Sequence, residues 1–93
     1  WVDDYGYPDR EKDFRVLRYQ ASEFMRAGMA PQAIERFEKV VENEPRDGIA
    51  LNNLAGLYHR QKDPRAIDLA ERAYSAMPES AAAADTLGWI SIT

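Results

Sequence analysis

The stretch from residue 51 to residue 78 decides the fold, and it reads LNNLAGLYHRQKDPRAIDLAERAYSAMP. Apolar residues recur every three or four positions on both sides of Asp63-Pro64, which is the spacing of one helix face. Asp63 is a typical N-cap residue, and a proline in the first turn of a helix removes no hydrogen bond. Met77-Pro78 ends the second segment. The stretch therefore predicts two helices joined by a tight turn, which is a helical hairpin.

A similar hairpin precedes this stretch. Its first helix is predicted to follow Pro8 and to run to about Ala27, with Gly28 at its stop. Its second helix is predicted to open near Pro31 and to end ahead of Pro45.

Two further helices complete the prediction. The first helix of the second hairpin spans roughly Asp47 to Gln61. After Pro78, Ser80 is predicted to cap a fifth helix from Ala81 to about Ile92. This fifth helix has no partner helix in the sequence.

The two hairpins match position by position. Seven positions recur. In the first helix of each hairpin the offset is 34 residues, which pairs Leu17 with Leu51, Ala21 with Ala55 and Phe24 with Tyr58. From the second helix onward it is 33 residues, which pairs Ala33 with Ala66, Phe37 with Ala70, Val40 with Ala73 and Pro45 with Pro78. The one-residue shortening falls in the turn between the helices, where length changes without disturbing packing. A third copy starts with Ala84, Leu87 and Gly88.

This pattern resembles the tetratricopeptide repeat family, whose period is about 34 residues. The resemblance covers residues 14 to 93 and implies an all-α fold, a tetratricopeptide α-solenoid of two full helical hairpins plus a half repeat, with about five helices. It divides the chain into a lead-in segment (1–13), repeat 1 (14–47), repeat 2 (48–80) and the first helix of repeat 3 (81–93), all in one domain. Ala70 departs from the bulky aromatic that the family favours, which implies thinner packing, and Gln20 stands where Leu54 and Leu87 do in the other copies.

The ends of the chain lie outside this pattern. The chain begins without a Met and stops within an apolar pattern, so we expect it to be a piece of a longer array. For the aromatic residues Trp1, Tyr5 and Tyr7 two interpretations stay open: they pack on the first hairpin or a preceding unit, or they are a remnant without fixed structure.

Composition excludes several kinds of partner. The 12 Lys and Arg and 16 Asp and Glu give a net charge of −4 and alternate along the chain, which argues against nucleic acid. No apolar run approaches the roughly 18 to 20 residues of a membrane span. The absence of cysteine leaves the redox compartment open.

Catalytic and metal-binding patterns are missing from the sequence. It contains no glycine-rich phosphate loop, no nucleophile paired with a base and no metal-ligand spacing, and its single histidine, His59, stands beside Arg60. We therefore expect no enzyme activity, no metal and no cofactor.

The resemblance implies instead that the first helix of each hairpin lines a concave face that binds a protein or peptide segment. Carried onto this chain, the predicted peptide-binding residues are Arg15, Arg18, Tyr19, Ser22, Arg26, Asn52, Asn53, His59, Arg60, Asp85 and Trp89. The same face carries Met25, Ile49, Gly56 and Thr86. Guanidinium groups bind carboxylates and carboxamides pair with extended backbone, so this face fits a peptide.

Simpler interpretations of these residues stay open. The arginines either bind a ligand, or only solvate the helix faces, or pair with nearby acids such as Glu11, Asp13 and Glu23. Trp89 is either a core anchor for a partner helix or a ligand platform. The carboxylate clamp of chaperone-binding members of the family matches fully only at Asn53, so a chaperone tail is a poor candidate ligand.

A narrower resemblance rests on Leu51-Asn52-Asn53-Leu54-Ala55, Asp63-Pro64-Arg65-Ala66, Ala70-Glu71-Arg72-Ala73 and Asp85-Thr86-Leu87-Gly88-Trp89. These phrases are similar to those of tetratricopeptide lipoproteins of bacterial exopolysaccharide and exosortase-linked surface systems. The resemblance implies a bacterial periplasm or envelope. The alternative function is self-association through the open C-terminal end, because an unpaired fifth helix would expose Leu87 and Ile90.

Overall fold

The computed structural model describes the backbone of residues 7–92 and the side chains of residues 14–92, and within these limits it contains helices and no strand. The five α-helices are α1 (Tyr7–Arg26), α2 (Ala30–Asn43), α3 (Gly48–Arg60), α4 (Arg65–Ala76) and α5 (Ala81–Ser91). The all-α prediction is confirmed. The aromatic side chains of Trp1, Tyr5 and Tyr7 lie outside the described side chains.

Three side chains accept hydrogen bonds from backbone amides at the start of a helix or in the turn before it. Asp47 accepts a hydrogen bond from the backbone amide of Ala50 at 3.2 Å, and Ser80 does the same for Ala83 at 3.2 Å, as predicted. Asp63 differs from its prediction as the N-cap of α4. Its carboxylate accepts from the amide of Arg65 at 2.9 Å, so it closes the turn over Pro64, and the helix begins only at Arg65.

The turns inside the two hairpins share an uncommon backbone conformation. Gly28 has φ +78° and Lys62 has φ +59°, both in the left-handed region. The two residues are 34 positions apart in the sequence, which is the offset that relates the hairpins. The same turn geometry is therefore built once with glycine and once with lysine.

The core lies where neighbouring helices meet. α1 packs on α2, α3 packs on α4, α2 also contacts α3, and α5 packs against both α3 and α4. The largest fully buried side chains are Phe37, Val40, Leu51 and Leu54. Alanines at the repeated positions are also buried, namely Ala21, Ala33, Ala55, Ala66, Ala70 and Ala73. Close approach of the helices depends on these small side chains.

The prediction that α5 exposes Leu87 and Ile90 is wrong. Ile90 is only 7% exposed, and Leu87 is half-buried against the core. The reason is that α5 turns the face of Ala83, Leu87 and Ile90 toward α3 and α4, so it does not need a partner helix to bury them. Its exposed side carries Gly88 and ends at Ile92, which is 83% exposed.

Gln20 has a role that explains its departure from the leucine of the other copies. Its side-chain oxygen accepts a hydrogen bond from Nε of Arg36 at 3.1 Å, which links α1 to α2. The guanidinium of Arg36 also lies over the ring of Phe24, 5.0 Å from its centroid. Gln20 therefore links the two helices of the hairpin on their solvent-exposed side.

None of the helices in the described part of the chain is long and apolar enough to cross a membrane.

Candidate functional site

A cleft of about 230 Å³ lies where α1, α3 and α5 come together. We call it the carboxamide cleft, and it is lined by Met25, Asn52, Asn53, Gly56, Leu57, Arg60, Thr86 and Trp89. Five of these residues lie on α3, at positions 52, 53, 56, 57 and 60, because a spacing of three and four returns to the same helix face. α1 contributes Met25, and α5 contributes Thr86 and Trp89.

Two asparagines form the polar part of the cleft. The side-chain oxygen of Asn52 is buried and accepts no hydrogen bond from any residue that the structure describes. A buried acceptor without a donor costs on the order of 1 to 3 kcal/mol. The half-buried side chain of Asn53 also makes no hydrogen bond to any residue that the structure describes. Both carboxamides are therefore available to a ligand, and Asn52 gains most from a donor that enters the cleft.

Apolar side chains form the opposite part of the cleft. Leu57 is 3% exposed and Met25 is half-buried, whereas Trp89 is 51% exposed. The ring of His59 meets the indole of Trp89 edge to face, with centroids 4.5 Å apart and an interplanar angle of 69°. This contact between α3 and α5 holds an aromatic surface at the mouth of the cleft.

Arg60 supplies the charge of the cleft. It lies in the last turn of α3, it is exposed, and it is the one charged side chain among the eight described lining residues. Within the described part of the chain its guanidinium forms no ion pair. An anionic group that enters the cleft would therefore meet a guanidinium that no described carboxylate neutralises.

The structure brings four predicted site residues into this cleft, namely Asn52, Asn53, Arg60 and Trp89. His59 lies beside them through its contact with Trp89. The other predicted residues do not line the cleft: Tyr19, Arg26 and Asp85 are exposed, and Ser22 is half-buried. Sequence reasoning missed Leu57, although its spacing of four from Asn53 and three to Arg60 was a usable signal.

Arg15 and Arg18 lie in a separate cleft of about 180 Å³, together with Phe14, Glu44 and Asp47. Nη1 of Arg18 donates to Oδ2 of Asp47 at 2.7 Å. The interpretation of Arg18 as a paired arginine is therefore the one that the structure supports. Its partner differs from the expected acids, because Asp47 lies 29 residues away in sequence and is brought close to Arg18 only by the tertiary fold.

A second polar cluster joins α2, α3 and α4. The phenol of Tyr58 donates to Oε2 of Glu38, and the guanidinium of Arg65 lies over the Tyr58 ring, 4.3 Å from its centroid. Burial, and then the hydrogen bond to Glu38, raise the pKa of Tyr58 to about 12. Tyr58 therefore stays protonated near neutral pH and acts as a structural donor rather than as a base.

Asp63 and Arg65 complete this cluster. Arg65 donates to both carboxylate oxygens of Asp63, with an Nη2–Oδ2 distance of 2.8 Å. These hydrogen bonds lower the pKa of Asp63. The pair fixes Arg65 above the Tyr58 ring, so the cluster connects the turn before α4 to α3.

Comparison of the chain with protein-family models gives no match, and comparison with curated proteins gives none either. Among the described residues there is also no group of three or more His, Asp or Glu side chains that could hold a metal ion.

Proposed function

We propose that this chain is a protein-interaction scaffold that binds a segment of another protein at the carboxamide cleft. The observation that carries the proposal is the buried and unpartnered oxygen of Asn52 inside a cleft built from three helices. A folded protein rarely leaves a buried acceptor unsatisfied, and such exceptions call for an explanation. A ligand N–H in the cleft provides one.

The chemistry of the cleft favours a peptide over other ligands. A carboxamide carries both a donor and an acceptor, so Asn52 and Asn53 match the N–H and C=O groups of an extended backbone. The volume of about 230 Å³ is below the roughly 300 Å³ at which small-molecule sites usually begin. One or two peptide side chains therefore suit the cleft better than a cofactor does.

We further propose that the chain is a tetratricopeptide-type array. The support is that equivalent positions of the two hairpins have equivalent environments. Ala21 and Ala55 are both fully buried, and so are Val40 and Ala73. The shared left-handed turns at 28 and 62 add to this support.

The cellular setting that we propose is a bacterial envelope or exopolysaccharide assembly system. This part of the proposal rests on the resemblance of residues 51–55, 63–66, 70–73 and 85–89 to lipoproteins of such systems. In that setting the scaffold would hold a component of the assembly machinery.

Affinity capture with variants of the chain tests the proposal. Wild type, Asn53→Ala and Asn43→Ala are immobilised, and proteins retained from an extract of the native cells are quantified. Asn43 is the matched control, because it is an exposed asparagine that donates only to the carbonyl of Lys39, within its own helix. Circular dichroism verifies that the three proteins are equally helical.

We expect a partner that wild type and Asn43→Ala retain and that Asn53→Ala loses. Arg18 is not varied in this test, because it lies outside the carboxamide cleft and its replacement would break the link to Asp47. Equal retention by all three proteins would mean that the carboxamide cleft is not the binding site.

The alternative function is self-association through the C-terminal helix. The observation that favours it is the exposed apolar surface at the end of α5, where Ile92 is 83% exposed. Sedimentation equilibrium over a range of concentrations measures the mass directly. A dimer that Ile92→Glu dissociates would support this alternative, and a monomer at every concentration would exclude it.

A further inference from the structure

We propose that the segment bound by the carboxamide cleft carries a large apolar side chain and, one to three residues from it, an aspartate or glutamate. This inference rests on the proposed function and defines the ligand class of the same cleft. It follows from three different surfaces that the cleft offers side by side: a cation, an apolar wall and a pair of carboxamides.

The charge of the cleft is opposite to that of the protein. The chain has a net charge of −4, yet Arg60 is the one charged group, and no carboxylate is found, among the lining residues that the structure describes. The planar guanidinium fork binds a carboxylate through two parallel hydrogen bonds. A segment with an acidic side chain therefore complements the cleft, whereas a basic segment is repelled there.

The apolar wall calls for a large side chain next to this acid. Buried Leu57, half-buried Met25 and exposed Trp89 supply the apolar part of the lining. Methionine adapts its shape to different partners, and the exposed face of Trp89 offers contact area that the His59 ring holds in place. An aliphatic or aromatic side chain would remove this surface from water.

The two asparagines determine how the segment lies. The buried oxygen of Asn52 accepts an amide proton only if the backbone of the ligand enters the cleft without its own hydrogen bond there. An extended backbone meets this condition, and it advances about 3.3 Å per residue. The acid and the apolar side chain are therefore close neighbours in the sequence of the ligand.

A random peptide library displayed on phage provides the first test. The intact chain selects binders, and phage that also bind the Asn53→Ala variant are removed. We expect the remaining peptides to be enriched in Asp or Glu one to three residues from Leu, Met, Phe or Trp.

Calorimetry with one selected peptide provides the second test. The peptide and its form with Asn or Gln in place of the acid are titrated into wild type, Arg60→Gln and the control Arg46→Gln. Arg46 is an exposed arginine that does not line the cleft. If Arg60 and the acid of the peptide form a charge-assisted pair, removing either one should weaken binding roughly tenfold or more. Removing both should then weaken binding no further.

Each result decides between the two proposals. Peptides that require Asn53 but show no acidic preference, or that bind Arg60→Gln as tightly as wild type, would overturn the ligand class and leave the binding site in place. A library that gives no Asn53-dependent peptide would remove the proposed function together with this inference.

Discussion

Arg18 of α1 is bound to Asp47, the residue that caps α3, with 2.7 Å between Nη1 and Oδ2. The other carboxylate oxygen of Asp47 accepts from the backbone amide of Ala50. One side chain therefore begins α3 and links it to α1. The side chain of Asp47 is 13% exposed and that of Arg18 is 33% exposed, so water screens this pair less than it screens a surface pair.

Replacing Asp47 separates these two roles. We expect Asp47→Ala to lower the free energy of unfolding by about 1 to 2 kcal/mol, because it removes both the cap and the ion pair. Asp47→Asn keeps a capping oxygen and loses only the charge, so we expect about 0.5 kcal/mol. Urea denaturation measures both changes. A midpoint for Asp47→Ala equal to that of wild type would show that neither contact contributes.

Lys62 and Gly28 provide a paired test of backbone strain. Lys62 holds φ +59° with a side chain that disfavours this conformation, so we expect Lys62→Gly to stabilise the protein by about 0.5 kcal/mol. Gly28→Ala is expected to destabilise it by about 1 kcal/mol. A Cβ at Gly28 meets no atom within 4 Å, so this cost is conformational. Thermal unfolding checks the signs, and a loss of stability in Lys62→Gly would contradict the argument.

Helix positions were predictable from the sequence because their signals are local. Proline, glycine and capping residues lie next to the helix ends that they define, and the structure places those ends within about two residues of the prediction. The same locality explains why Asn52, Asn53 and Arg60 were found together, since they share one face of α3.

Contacts between distant helices were not predictable in the same way. The partner of Arg18 lies 29 residues away in sequence, and the burial of Ile90 depends on how α5 rotates against α3 and α4. Periodicity identifies an apolar face but not the direction in which a terminal helix turns it. For that reason α5 was expected to expose Ile90.

Tyr58 predicts a dependence of stability on alkaline pH. Its pKa is raised from 10.0 to about 12 in the folded protein, so the folded state keeps a proton that the unfolded state loses first. The contribution of Tyr58 to stability is complete below pH 10.0 and is lost as pH rises through about 12. Urea denaturation across this interval should show a steeper loss in wild type than in Tyr58→Phe. Identical slopes in the two proteins would contradict the assignment.

Met77, which follows α4, lies close to Gly48 at the start of α3. A Cβ built on Gly48 would lie within 3.0 Å of Cγ, Sδ and Cε of Met77, so alanine at position 48 must displace the methionine side chain. Alanine in place of glycine otherwise favours a helix by about 1 kcal/mol. Because the methionine side chain is flexible, we expect its displacement to offset this gain, so that Gly48→Ala stabilises the protein less than helix propensity alone predicts.

Gly88→Ala is the matched control, because Gly88 also lies in a helix but a Cβ there meets no atom within 4 Å. We expect it to stabilise the protein by up to about 1 kcal/mol through helix propensity alone. Met77→Ala makes room beside position 48. The double variant Gly48→Ala/Met77→Ala should therefore lose less free energy of unfolding than the sum of the two single changes. Urea denaturation of the four variants gives these values. If Gly48→Ala stabilises the protein as much as Gly88→Ala does, the approach of Met77 places no constraint on position 48.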